Sequence, residues 1–365
     1  MFSHLETPVP LVDLDRVERN LDRAATYARS HGLALRPHVK THKSARIAAM
    51  QVERGADGLT CATPREAEVM QAVSGDLLVA YPPVDPHRAD RLAALAAGRV
   101  TVALDSLHAV DTMARAAAGA GRTVHVYVEM DLGMRRVGVA SAADAVAIAR
   151  RAADAPALEF AGLAFYPGHI RQGVGDQDAA LAVVAGEVER AVEAFTAAGL
   201  RPPVVSGGST PTIWRSHEMG PVTEIRPGTY VYNDRTTAVI GACSWEECAF
   251  TVLATVVSTA VPGQAVIDAG VKSIGREPVR GAPGEGFGAL LDRPEVTVRA
   301  MSEEHGILDL SHTSWIPRVG ERVRVVPNHV CVAVHLFDEM IGIRDGEEVE
   351  RWTVAARGRS PAGGS

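Results

Sequence analysis

Between about residues 15 and 235, apolar positions follow two alternating rhythms. Residues 15–31, 42–54, 64–73, 86–97, 106–119, 141–153 and 176–198 are rich in Ala, Arg and Glu, with apolar side chains at helical spacing. Between them lie short, mostly unalternating apolar runs at 33–35, 58–61, 77–81, 100–104, 124–129, 160–165, 204–206 and 224–226. Unbroken apolar runs are the mark of parallel strands buried on both faces. Eight of them, spaced by helices, predict a (β/α)8 TIM-like barrel, an α/β fold. A doubly wound open sheet is the alternative.

After residue 245 the pattern changes. Residues 249–261, 265–269, 295–301, 306–310, 322–326 and 330–336 are β-branched and apolar, with Gly, Pro and Asn between them. This predicts an antiparallel β domain. The extended segment 8–14 precedes the first helix and can pair with that β domain. The expected domains are therefore a barrel at 15–240 and a β domain made of 1–14 with 241–365. No internal repeat is evident, and a frayed tail is expected at 360–365.

In such a barrel, chemistry sits in the loops after the strands. Those loops carry His38, Lys40 and His42; Thr60 and Thr63; Tyr81; the run 131–136; Tyr166 and His169; 206–212; and 228–234. The string Ser206-Gly207-Gly208-Ser209-Thr210 lies after the seventh strand, where barrels commonly bind phosphate. Glycines let the backbone approach an anion, and amides and hydroxyls donate to it. An ordinary Gly-rich turn is the competing reading. Lys40 is placed to point into the barrel mouth, where Arg36, His38 and His42 could supply a positive field that lowers its pKa, whereas Lys43 reads as a solvated loop lysine. Further on, His329 and Cys331 are two apart in a run read as a strand, which puts them on one face. An imidazole and a thiolate there match a zinc pair with open positions, catalytic rather than structural; core packing is the bland alternative.

Composition narrows the classes. The chain has 365 residues, 47% hydrophobic and 22% charged, with net charge -7. There is no basic footprint for nucleic acid and no apolar run long enough for a membrane span. No signal-peptide pattern opens the chain, so a cytoplasmic enzyme is expected. Four scattered cysteines do not make a disulfide framework, and Cys243 and Cys248 read as structural. Lys40, Lys43 and Lys272 are the only lysines in an arginine-rich chain. Arginine can replace a lysine that merely carries charge, but not one that must form an imine.

The strings at 36–43 (Arg-Pro-His-Val-Lys-Thr-His-Lys), 58–63, 206–210, 226–234, 302–306 and 327–331 together resemble the fold-type III pyridoxal-phosphate family. That family contains eukaryotic-type D-serine dehydratase and D-threonine aldolase and is related to alanine racemase. The resemblance runs from Pro8 to about Arg357. It implies pyridoxal 5'-phosphate bound as an imine on Lys40, with His38 and Thr60 beside it. It implies Arg136 near the pyridine ring, and Gly207, Gly208, Ser209 and Thr210 on the phosphate, helped by Tyr230 or Asn233. Tyr166 and His169 would line ring and substrate, His169 in a catalytic role. His329 and Cys331 would bind the metal, and a homodimer would let each β domain help close its partner's site.

The metal string divides that family. D-serine dehydratases are similar to this chain in using His-x-Cys, which suits Zn2+. D-threonine aldolases typically show His-Cys-Asp, whose carboxylate suits Mn2+ or Mg2+. Cys331 therefore favours a zinc-dependent elimination from a D-β-hydroxy amino acid, giving a 2-oxo acid and ammonia. Retro-aldol cleavage to glycine and an aldehyde is the alternative. The Tyr166-Pro167-Gly168-His169 string matches neither branch. A racemase would need a second acid/base rather than a metal pair, and a non-catalytic cofactor carrier would be a bare barrel.

Overall fold

All eight apolar runs of the first half form strands in the computed structural model, which describes residues 2–361. They pair in parallel in the order Ala34–Leu35, Glu224–Ile225, Val204–Gly207, Leu158–Phe165, Val124–Met130, Arg99–Leu104, Asp76–Val79, Leu59–Cys61. The chain just past the end of the first strand meets the last strand of that order. His38 and Thr60 form a parallel bridge, and the Val39 N–H donates to the Thr60 carbonyl at 2.9 Å. The ring thus closes two residues before Lys40.

Local signals set where the loops end. Ser44, Thr63, Asp85, Ser106 and Ser141 each cap a helix by accepting an amide hydrogen of its first turn. A hydroxyl or carboxylate there satisfies a donor that has no partner within the helix. Inside the ring, Leu78, Tyr127, Ala161 and Ala164 pack together. Buried Arg36 is held by Glu224 at 2.7 Å and Asp76 at 2.8 Å, and Ser206 donates to the same Glu224 at 2.6 Å. Both carboxylates together hold the Arg36 pKa above its ordinary value, against the effect of burial.

The second half forms one nine-stranded sheet, in the order Gln264–Ile267, Gly306–Asp309, Arg293–Met301, Gly288–Leu290, Arg322–Pro327, Phe250–Ser258, Val9–Asp13, Glu339–Arg344, Glu347–Thr353. Phe250–Ser258 also pairs with Gln264–Ile267, which closes the first six strands into a small antiparallel barrel. Val9–Asp13 joins this sheet as its position suggests, antiparallel to Phe250–Ser258. The hairpin Glu339–Arg344 to Glu347–Thr353 turns on Asp345-Gly346, both with positive φ (49° and 79°). Asp-Gly is the two-residue turn signal of a hairpin, and the apolar pattern alone did not reveal this pair of strands.

One strand assignment is corrected. Residues 330–336 are not a strand: Arg322–Pro327 ends at its proline, and Val330–His335 is a short helix with His329 as its N-cap. Asn328 pins the change of direction by donating to the carbonyls of Glu277 (2.9 Å) and Gly286 (2.8 Å).

By compactness the chain divides into two units. One comprises residues up to Asp22, Arg171–Val174 and Thr229–Ala355; the other holds Arg23–Ile170, Gly175–Gly228 and the chain from Ala356. These limits differ from 14/15 and 240/241. Asn20 explains part of the difference, since it donates to the carbonyls of Val231 (3.2 Å) and Glu247 (2.9 Å). Of the tail expected to fray, Ser360 and Pro361 are described, and Arg65 donates to the Pro361 carbonyl at 2.9 Å; the rest lies outside the described residues. No helix among the described residues is long and apolar enough to cross a membrane.

Candidate active site

A cavity of about 300 Å3 opens at the C-terminal ends of the parallel strands. Its wall includes His38 and Lys40 past the first strand, Tyr81, Glu129, Arg136, Tyr166 and Arg226. Lys40 is the one lysine among them. Its Nζ lies 5.6 Å from the centre of the Tyr166 ring, and the Arg136 guanidinium lies 4.9 Å from the same ring. Gly168 lets the Tyr166 ring sit where it does: any side chain at that position would collide with it.

The surroundings of Lys40 are not those expected from sequence. Burial, then the nearby cations Lys40, Arg226 and Lys43, push the His38 pKa well below its ordinary value, so that imidazole is neutral. Burial also lowers His42, to about 3. Both His42 nitrogens are used: Nε2 faces Gln51 Oε1 at 3.2 Å and Nδ1 accepts the Ser44 N–H at 3.2 Å. Arg36 is committed to its two carboxylates. Lys43 is not solvated but buried, in an ion pair with the fully buried Glu66. The positive field at the cavity comes instead from Arg136 and Arg226.

Arg226 and Glu129 were not singled out from sequence. Arg226 donates to Ser206 Oγ at 3.0 Å and to the Phe165 carbonyl at 2.7 Å. Burial lowers its pKa, and the charges of Glu129 and Glu224 oppose that. Burial raises Glu129, against the pull of Arg226 and Arg136. The signal for both was their place at the C-terminal ends of strands, where polar groups read as chemistry.

The other expected site residues are more scattered. Thr60 is buried and donates its hydroxyl to the Arg36 carbonyl at 2.9 Å, so it serves the ring closure. Gly207 sits against Phe165, where any Cβ would collide with the ring. Gly208 has φ +87°, which favours glycine. Ser209 is turned onto Thr212, its N–H at 3.2 Å and its Oγ at 3.1 Å from the Thr212 hydroxyl. The Thr210 carbonyl accepts the Ile213 N–H at 3.2 Å. The loop is therefore preformed. His169 packs on Gly133, whose Cβ would come within 2.9 Å of the ring; it is not part of the cavity wall. Tyr230 and Asn233 belong to the other unit. Tyr230 is buried there, and Asn233, at φ +54°, donates to the Glu247 carbonyl at 3.2 Å.

In that other unit, His329 and Cys331 do come together, though not as neighbours on a strand. The Cys331 sulfur lies within hydrogen-bonding reach of the imidazole. Burial would lower the His329 pKa, but the Cys331 sulfur and the Asp234 carboxylate outweigh it and raise it. Asp234 Oδ2 is 3.3 Å from His329 Nδ1. Thr229 Oγ1 is 3.8 Å from the Cys331 sulfur. Among the described residues no group of three or more His, Cys, Asp or Glu side chains is gathered to hold a metal. Two donors of this kind fit an ion that keeps open positions, and such an ion would bind in competition with protons. The cavity likewise fits a flat, anionic cofactor, with one amine, two guanidinium groups and two tyrosine rings on its wall.

A closed parallel barrel with a lysine past its first strand, followed by a closed antiparallel β unit, defines the class of fold-type III pyridoxal-phosphate enzymes. Residues 12–236 match the alanine racemase N-terminal domain, and residues 249–343 match the putative serine dehydratase domain. The chain belongs to this family, which implies pyridoxal phosphate as cofactor. It is 32% identical to 3-hydroxy-D-aspartate aldolase of Paracoccus denitrificans (98% of this chain, 93% of that one). It is 34% identical to D-threo-3-hydroxyaspartate dehydratase of Delftia (95% and 97%). A crystal structure of D-threonine aldolase from Filomicrobium marinum superposes with TM-score 0.90 at 32% identity (98% and 96%). Solved forms of the hydroxyaspartate dehydratase include a mutant at a histidine and one at a cysteine two positions later, the latter metal-free.

Proposed function

We propose that this protein is a pyridoxal-phosphate- and divalent-metal-dependent lyase that eliminates water from a D-β-hydroxy amino acid, of the D-serine or D-3-hydroxyaspartate kind. The observation that carries the reading is the His329–Cys331 pair. Its soft sulfur donor favours zinc over Mn2+ or Mg2+, and its spacing is that of the two mutated positions in the solved dehydratase. When bound, the cofactor would supply an electron sink for the carbon that loses its proton, and the ion a Lewis acid for the departing hydroxyl.

The residues of the chain do the rest. Lys40 Nζ, as the free amine, takes the proton from Cα, and hydroxide leaves Cβ. Loss of water followed by hydrolysis yields one 2-oxo acid and one ammonia. Arg226 and Arg136 hold negative charge within the cavity, while neutral His38 adds no competing positive charge. Glycines 207 and 208 with Ser209 and Thr210 are our assignment for the phosphate. A homodimer fits the need to exclude water from carbanionic chemistry; an active monomer by light scattering at assay concentration would contradict it.

Retro-aldol cleavage is the second reading, favoured by the aldolases among the relatives. Both are tested by incubating the cofactor-loaded protein with zinc and D-serine, D-threonine or D-3-hydroxyaspartate. Release of ammonia with pyruvate, 2-oxobutyrate or oxaloacetate is expected. Glycine with acetaldehyde or glyoxylate would transfer the enzyme to the aldolase branch.

A further inference from the structure

We propose that Asp234 is the positioning residue of the metal pair: it fixes His329 in the tautomer that turns Nε2 toward an ion. The inference rests on the reading that His329 and Cys331 hold that ion, and adds a residue to which neither the sequence motif nor the donor set points. Asp234 is 1% exposed. Its Oδ1 accepts the Thr237 N–H at 2.9 Å and the Thr237 hydroxyl at 3.0 Å, capping the helix Arg235–Val239. Its Oδ2 faces His329 Nδ1 at 3.3 Å and accepts the Val330 N–H at 3.1 Å. With both oxygens engaged, the carboxylate cannot rotate.

An ionised carboxylate only accepts hydrogen bonds. The nitrogen facing it must therefore carry the hydrogen, which leaves the Nε2 lone pair for a cation. The same oxygen holds the amide of Val330, the residue between His329 and Cys331. One buried carboxylate thus references both donors: the imidazole directly, and the thiol through the first turn of its helix. A carboxylate behind a ligating histidine also raises the basicity of the ring, and losing it typically weakens metal binding by about 10–100-fold.

The test is zinc titration of the metal-stripped, cofactor-loaded full chain against a chromophoric chelator. Asp234→Asn keeps an oxygen for Thr237 but presents an amide NH2 to His329, which drives the hydrogen to Nε2. Zinc affinity should fall about 10–100-fold while the cofactor absorbance and circular dichroism stay unchanged. Val330→Pro removes the amide donor but leaves the Asp234–His329 pair. It sits at the first helical position after an extended residue (φ -141°, ψ 103°), where proline is tolerated. This variant loses the indirect hold on the thiol but keeps the hold on the imidazole, so its zinc affinity should fall much less than that of Asp234→Asn. An Asp234→Asn protein that binds zinc as tightly as wild type, or an equal loss in both variants, overturns the proposal. Should Asp234→Asn not fold, a structure of the zinc-loaded wild type decides: ligation through Nε2 supports the assignment and ligation through Nδ1 overturns it. A wild-type chain that takes up no zinc at all removes the metal reading itself, a result distinct from failure of Asp234.

Discussion

Lys40 and His329 both lie shortly after a strand ends, yet the two regions were built by different rules. In the barrel unit, periodicity carried the prediction through. The apolar runs became strands, the capping residues ended the loops, and Lys40 came to the cavity wall. In the β unit, the donors were right and the backbone was not. His329 caps a helix and Cys331 lies in its first turn. The pair survives the error because His329 is an extended N-cap (φ -141°, ψ 103°) and not a helical residue; two residues apart inside a helix would point to different faces. A short-range motif is thus a statement about chemistry more than about local conformation.

The comparison breaks first at the lysines. Lys40→Ala should abolish the visible absorption of the lysine-bound cofactor and reduce turnover by about 10²–10⁴-fold or more, with little change in unfolding free energy. If Lys43→Ala or Lys272→Ala removes that absorption instead, the barrel half of the comparison fails. The β half is tested by chelation and by Cys331→Ala. Each should remove Lewis-acid assistance worth several kcal/mol and so most of the turnover, while the cofactor absorbance and fold persist. Full activity in the chelated enzyme would return His329 and Cys331 to a packing role and favour a racemase.

Lys43 sharpens the contrast within a single loop. Lys43→Ala leaves Glu66 buried without its partner and should cost about 3–5 kcal/mol of stability by denaturant unfolding, with the cofactor still bound. Unchanged stability would mean that the pair is not holding the loop. Gly207→Ala should destabilise by about 1–3 kcal/mol through overpacking on Phe165, and loosen cofactor retention at the same loop. Loss of cofactor without loss of stability would instead assign Gly207 to the phosphate alone.

The smallest effect is a pH dependence. His42 has a folded pKa of about 3, below its unfolded value of about 6.5. It therefore contributes stability that is fully present above about 6.5 and is lost as pH falls toward 3, because the unfolded chain binds the proton first. His42→Gln should flatten that part of the stability–pH curve. An identical slope in wild type and variant would show that the acid sensitivity arises elsewhere.

By itself the sequence determined the architecture and the chemical inventory. Alternating helical and apolar runs specify parallel strands buried on both faces, because only that arrangement buries both rhythms. Scarce lysines at 40 and 43, and the His-x-Cys at 329–331, specify which groups can react. What the sequence left open was each group's environment, since burial and charge pairing are set by residues far apart in the chain. Only the tertiary structure placed Glu66 on Lys43, Glu224 and Asp76 on Arg36, Arg226 and Glu129 on the cavity wall, and Asp234 on His329. Ninety-odd residues separate Asp234 from His329. No spacing rule reaches across them, because their meeting depends on how a proline-ended strand and a capped helix fold back on each other.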